Sequence, residues 1–340
     1  MPGMLDSLLV ALQPDAVGKI SHATGVDPTL IQRGFAIAAP LVLSALAKAS
    51  TTPQGAQTLL HLLRESRRRD LFDRLASTNV MEHLDTGAWH VHAGDPADSA
   101  TDTVFGAGAT AAVATLTQHL GFNMRPLLGI AAQLALGMIA NLARSKRLDA
   151  QQLSDLLRAQ NDAFMKHPAN RKAAGIVFTA LAATDRAQAL REMFDTAEWL
   201  KVQSGPLAAL YCISNASPCG SRGLAKEFAA ATDAVTEAAR AAPPVSLLGT
   251  AFGEGLSQDC FARLARQHPQ MAKLLSELHD SIDIVARKSP SDAEAYREII
   301  LFAAQRAAEA GKEGGFLGIG GTRVSVEEQR AIDAIRSALW

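Results

Sequence analysis

Aromatic residues are scarce: two tyrosines, three tryptophans and twelve phenylalanines make up 5% of the chain. With few β-branched runs beside alanine-rich text, this argues against sheets and for an all-α protein. The three cysteines, Cys212, Cys219 and Cys260, form no C-x-x-C pair and are too few and too clustered for a disulfide framework. Reduced thiols are expected. The net charge is only −1, so no global field recruits nucleic acid or anionic lipid, and a basic site must be local. No charged segment followed by an apolar one opens the chain, which reads as a cytoplasmic protein. No catalytic motif is strong enough to name a reaction. The expectation is a protein that is not an enzyme and takes no cofactor.

What is present is helical text. The chain of 340 residues is 48% hydrophobic, enough for two or three domains with real cores. It is organised around residues 127–143, LLGIAAQLALGMIANLA. This run falls short of the roughly 20 residues a membrane span needs, and Gln133 and Asn141 would require partners in lipid. A buried helix is the simpler reading, with Gly129, Ala132, Gly137 and Ala140 allowing close approach and Leu128, Leu134, Met138 and Leu142 filling the gaps.

Further start signals divide the rest. Asp27-Pro28 places an N-cap residue before a proline at the first helical position, opening a helix over 28–48, and Thr52-Pro53 repeats the signal for a helix over 56–75. Aligning Gly25 with Gly121 superposes Ile31 on Leu127, Val42 on Met138, and Leu46, Ala47 and Lys48 on Leu142, Ala143 and Arg144. After two residues of slippage, Gln57 to Arg64 falls on Gln151 to Arg158. This is an internal duplication in which the helix over 28–48 pairs with that over 126–144 and covers its exposed face.

The segments Met4-Leu-Asp-Ser-Leu-Leu, Ala36 to Lys48, Ser50 to Leu60 and Val104-Phe-Gly resemble the YidB-like family of bacterial proteins of unknown function, over about residues 1–160. That resemblance implies a homeodomain-like helical arrangement and no established activity. The domain reading is a first repeat at 1–83, a linker at 84–103, a second repeat at 104–165, a connecting helix at 166–194 and a C-terminal helical domain at 195–340. In that last domain, Asp195 with Glu198 and Ser325 with Glu328 form capping boxes. Helices are expected over 206–214, 222–241, 245–266, 270–287 and 293–310. The ending Lys312-Glu-Gly-Gly-Phe-Leu-Gly-Ile-Gly-Gly-Thr-Arg-Val-Ser325 resembles the signature of an uncharacterised bacterial helical family, which implies no reaction.

Four constellations are candidate sites. The loop 314–321 sets Gly314, Gly315, Gly320 and Gly321 between Lys312 and Arg323, a composition that attracts anions. It lacks a preceding strand and a Walker Lys-Ser/Thr pair, and Phe316, Leu317 and Ile319 read better as an apolar plug. His90 and His92 alternate, as two metal ligands on an extended backbone would, although polar linkers collect such residues by chance. Glu277, His279, Asp280 and Asp283 have helical spacing for a metal or shared proton, with solvated pairing the commoner outcome. Arg64, Arg67, Arg68 and Arg69 form a local basic cluster on a helix, a nucleic-acid candidate opposed by the interleaved Glu65, Asp70 and Asp73.

Together these readings give a duplicated homeodomain-like unit followed by a helical bundle, acting as a binding or scaffold module for protein partners. A homo-oligomer is compatible with it. Nucleic-acid binding through residues 64–74 and membrane attachment through the apolar helices are the less favoured alternatives.

Overall fold

The computed structural model describes residues 4–11, 14–64, 96–218, 220–253, 255–256, 258–267, 270–310 and 324–340. Among the described residues all regular structure is helical and no strand occurs. The chain forms two compact units, Met1–Asp185 and Arg186–Trp340.

The first unit contains α1 (Met4–Ala11), α2 (Pro14–Thr24), α3 (Pro28–Ala49), α4 (Pro53–Arg64), α5 (Pro96–Phe105), α6 (Ala109–Leu120), α7 (Arg125–Ser145), α8 (Ala150–Lys166) and the greater part of α9 (Arg171–Glu192). Asp27 caps α3 by accepting the Thr29 N–H at 2.8 Å, and that hydrogen bond holds its carboxyl below the usual range. α8 opens with a full capping box between Asp149 and Gln152. Helices α3 and α7 pack against each other at the centre. Their approach is close: a Cβ at Gly34 would lie 2.8 Å from Leu127 Cδ1 and 2.9 Å from Phe122 Cζ. Phe35, Leu41, Leu46, Leu116 and Leu128 are fully buried in this core. Ser44 Oγ donates to Asn161 Oδ1 at 2.6 Å and Ser154 Oγ to the Ser50 carbonyl at 2.7 Å, so α8 is held to α3 by polar contacts as well.

Both α3 and α7 are long and apolar enough to cross a membrane, and 78% of each apolar window is buried inside the protein. Most of the apolar surface of both helices is thus packed against other parts of the chain.

The second unit contains α10 (Thr196–Ala216), α11 (Gly220–Ala241), α12 (Leu247–Phe252), α13 (Gln258–Gln267), α14 (Met271–Lys288), α15 (Ala293–Ala310) and α16 (Val326–Leu339). α10 is central, touching α11 and α13 to α16, while α11 lies along α15. Asp195 and Glu198 form the capping box of α10, and Ser325 and Glu328 that of α16. Glu198 also pairs with Lys288 at 2.6 Å, and these bonds hold its carboxyl below the usual range. Lys288 donates to the Met193 carbonyl at 2.7 Å, and Arg191 lies over the Trp199 ring at 4.8 Å. The entrance of α10 and the exit of α14 are thereby fastened together.

Three expectations need correction. The stretch read as a linker turns helical at Pro96, because proline at a first helical position is the same start signal that serves α3 and α4. The helix expected to begin at Pro206 begins ten residues earlier and runs through that proline. The single helix expected over 245–266 is two, α12 and α13, separated by a turn containing Gly255 at φ +91°.

Candidate functional site

α4 ends at Arg64, and α7 ends near it in a Schellman turn. The Leu148 N–H reaches the Ala143 carbonyl at 2.9 Å and the Arg147 N–H reaches the Arg144 carbonyl at 3.2 Å. Such a turn needs one residue in the left-handed region, which is usually glycine. Here it is Arg147, at φ +52°, the sole non-glycine with positive φ among the described residues. A side chain in that conformation costs about 1 kcal/mol that glycine would avoid. Arg64 Nη2 donates to the Leu148 carbonyl at 2.9 Å, tying the two helix ends together.

Around these ends lies a pocket of about 270 Å³, lined by Leu63, Arg64, Ala140, Ala143, Arg144 and Arg147. Its floor is apolar, since Leu63, Ala140 and Ala143 are buried, and its rim carries three exposed guanidinium groups. Cations at helix C-termini favour the helix dipole. Three of them around one cavity also gather N–H donors of the kind that suits a carboxylate or phosphate. The arrangement suits a small anionic group attached to an aliphatic stem.

Of the basic cluster singled out by sequence, Arg64 stands in this pocket. Arg67, Arg68 and Arg69 lie outside the described residues, as do His90 and His92 and the whole glycine-rich constellation of Lys312, Gly314, Gly315, Gly320, Gly321 and Arg323. Arg144 and Arg147 were visible only as a basic end to the apolar run. The further signal was a helix ending without the glycine that its turn requires.

The second unit carries ordinary surface pairs where sequence spacing suggested a metal or acid-base group. His279 Nε2 lies 3.5 Å from Asp283, both well exposed, and Asp280 pairs with Lys201 at 2.8 Å. No group of three or more metal-ligating side chains occurs among the described residues. Glu227 is fully buried and accepts a hydrogen bond from Ser214 Oγ.

Cys212 and Cys260 are buried thiols that form no disulfide. Burial pushes the Cys212 thiol from its usual 9.0 up to about 12, and pushes the Tyr211 and Tyr296 hydroxyls up as well. Because the folded value of Cys212 lies above the unfolded one, the stability it contributes is complete below pH 9 and is lost as pH rises from there toward 12. Urea unfolding between these limits should show a decline of up to about 1.4 kcal/mol per pH unit from this group. Cys212→Ala should flatten that limb, and an unchanged slope would show that the thiol does not titrate with unfolding.

Residues 6–142 match a family described as bacterial protein of unknown function (DUF937), which is the YidB-like family. The similarity covers most of the first unit, including Arg64, and ends just before Arg144; the glycine-rich signature lies outside it. No curated protein and no solved structure matches the chain.

Proposed function

We propose that the chain is a non-enzymatic, cytoplasmic binding module for protein partners, built on a duplicated homeodomain-like unit. In this reading the arginine-lined pocket takes hold of an anionic group on the partner. The duplication draws support from contacts that come in matching pairs: α1 packs on α3 as α5 packs on α7, α8 on α3 as α4 on α7, and α1 reaches α7 as α5 reaches α3. It is supported too by the helix-ending glycines. Gly25 at φ +69° and Gly121 at φ +82° each donate to the carbonyl four residues back at 2.8 Å.

The observation that carries the functional reading is the convergence of Arg64, Arg144 and Arg147 on one pocket. A triple variant, with Arg64→Gln, Arg144→Gln and Arg147→Gln, tests it with inorganic phosphate as probe at constant ionic strength. Phosphate at 100 times its dissociation constant should stabilise the wild-type protein by about 2.7 kcal/mol and leave the triple variant unmoved. Equal stabilisation of both proteins would remove the pocket from the account.

A second reading, nucleic-acid binding, is favoured by one observation: Arg64, the first member of the basic run over 64–74, stands in the same pocket as two further arginines. It requires retention on duplex DNA that falls steeply with salt.

A further inference from the structure

We infer that the outer face of α9 is where a second copy of this chain docks, the two α9 helices lying antiparallel across a twofold axis. The inference goes beyond the binding-module reading and does not depend on the arginine pocket. It starts from Phe178, whose side chain is 67% exposed, more than any other large apolar one among the described residues. Ala174, Val177 and Ala180 of the same helix are buried in the core of the first unit, so Phe178 is turned away from that core. A ring left in water forgoes the burial that holds the other phenylalanines of this unit in place.

Phe178 belongs to a stripe with a definite pattern. Arg171, Gly175, Phe178, Ala182 and Asp185 recur at intervals of four and three residues, the spacing at which two helices pack along a common seam. Four of the five are exposed, and Ala182 is half-buried. A Cβ added at Gly175 would meet no atom within 4 Å, so the space beside it is open. The stripe thus carries a projecting ring and, one turn away, a gap that can receive one. That makes it self-complementary, as an interface between identical copies has to be.

Charge selects both the occupant and its direction. One end of the stripe carries Arg171 and Lys172, which are exposed and whose side chains have no partner among the described residues. The other end carries Asp185, which gives one carboxylate oxygen to Lys48 and keeps 46% of its side chain exposed. A carboxylate accepts further hydrogen bonds through its second oxygen, so the pair with Lys48 is kept. With Phe178 set opposite Gly175 of the second copy, antiparallel helices bring Arg171 level with the second copy's Ala182. That is three residues, about 4.5 Å along the axis, from the second copy's Asp185, within reach of an arginine side chain. The match occurs twice by symmetry. Parallel helices would instead set Arg171 and Lys172 against their own copies, and an anionic lipid surface would attract one end of the stripe and repel the other. One helix pair is a small interface, so the dimer is weak and forms as concentration rises.

The test is sedimentation equilibrium of the full-length chain from about 1 μM to about 1 mM, the range in which a small interface is populated. Wild type should pass from monomer to dimer. Phe178→Arg should dimerise at least tenfold more weakly while melting at the wild-type temperature, because the ring it replaces is exposed. Gly175→Leu, which fills the gap, should weaken the dimer to a similar degree. Arg171→Glu together with Lys172→Glu sets acids against Asp185 and should also cost at least tenfold, and added salt should weaken the wild-type dimer. Trp340→Ala, an exposed ring in the second unit, should dimerise as wild type.

A wild-type chain that stays monomeric throughout, or a dimer that tolerates Phe178→Arg, would overturn the inference. A dimer lost with Phe178→Arg but indifferent to the charge reversal would overturn the antiparallel arrangement and with it the proposal. Flotation of a monomeric chain on anionic liposomes that requires Phe178 would overturn it in favour of a membrane contact. A melting temperature lowered by several degrees in Phe178→Arg would overturn it as well, by placing the ring in contacts within the chain. None of these results bears on phosphate binding at the arginine pocket, so the two readings stand or fall separately.

Discussion

Gly205→Ala is expected to destabilise the second unit by about 2–5 kcal/mol, a large part of what a domain of this size possesses. The reason lies in three residues around an interior proline. Pro206 has no N–H, so the Val202 carbonyl one turn earlier loses its helical partner. Tyr296 on α15 supplies the replacement: its hydroxyl, fully buried, donates to Val202 O at 2.7 Å. That hydroxyl sits so close to α10 that a Cβ on residue 205 would lie 2.2 Å from it and 3.0 Å from Ser281 Oγ. An alanine there has to push the tyrosine away, which both overpacks the contact and leaves the carbonyl unsatisfied. Tyr296→Phe keeps the ring but removes the hydroxyl, with its bonds to the Val202 carbonyl and Ser281, and should cost about 1–3 kcal/mol.

Because the effects share a partner, they should not add. In a Tyr296→Phe background the new Cβ no longer meets the tyrosine hydroxyl, its nearest neighbour, so Gly205→Ala should cost less than it does in the wild type. In a Pro206→Ala background the restored N–H can serve Val202, so Tyr296→Phe should cost less as well. Urea midpoints of the single and double variants decide the matter. Wild-type stability in Gly205→Ala, or strict additivity in either pair, would contradict the described contact.

The second large effect concerns α7. Leu136→Asp or Ile139→Asp should abolish cooperative folding of the first unit, since both side chains are at most 1% exposed and an unpaired carboxylate in such a place costs several kcal/mol. Leu134→Asp and Met138→Asp should cost far less, because those two side chains are only partly buried against the core. Circular dichroism melts of the four variants separate the two sides of the helix. Equal losses at all four positions would mean that α7 is enclosed on every side. Folding that survives Leu136→Asp would instead favour the membrane alternative, which liposome flotation would then examine.

This contrast marks how far the sequence carries. An unbroken apolar run announces a buried helix, but when nearly every position is apolar the periodicity that would assign its faces disappears. Leu134 and Met138 therefore looked as central as Leu136 and Ile139, and the contacts of α3, α5 and α4 with α7 decided between them. The candidate site was legible to a similar extent. Arg64 stood out as part of a basic run, whereas its company with Arg144 and Arg147 depends on α4 and α7 ending side by side, some eighty residues apart in the chain.

The sequence alone determined the helical class and most helix starts, because caps and prolines act over three or four residues: Asp27 before Pro28, Asp195 with Glu198, Ser325 with Glu328. These are local hydrogen bonds, written where they form. The tertiary structure alone decided that α10 continues through Pro206, because the hydroxyl that repairs the break comes from Tyr296, ninety residues further on. It also decided that an arginine stands where a helix end calls for glycine, and that three arginines share one pocket. A local rule can be overruled only by a partner brought in from elsewhere, and where that partner comes from is a property of the fold.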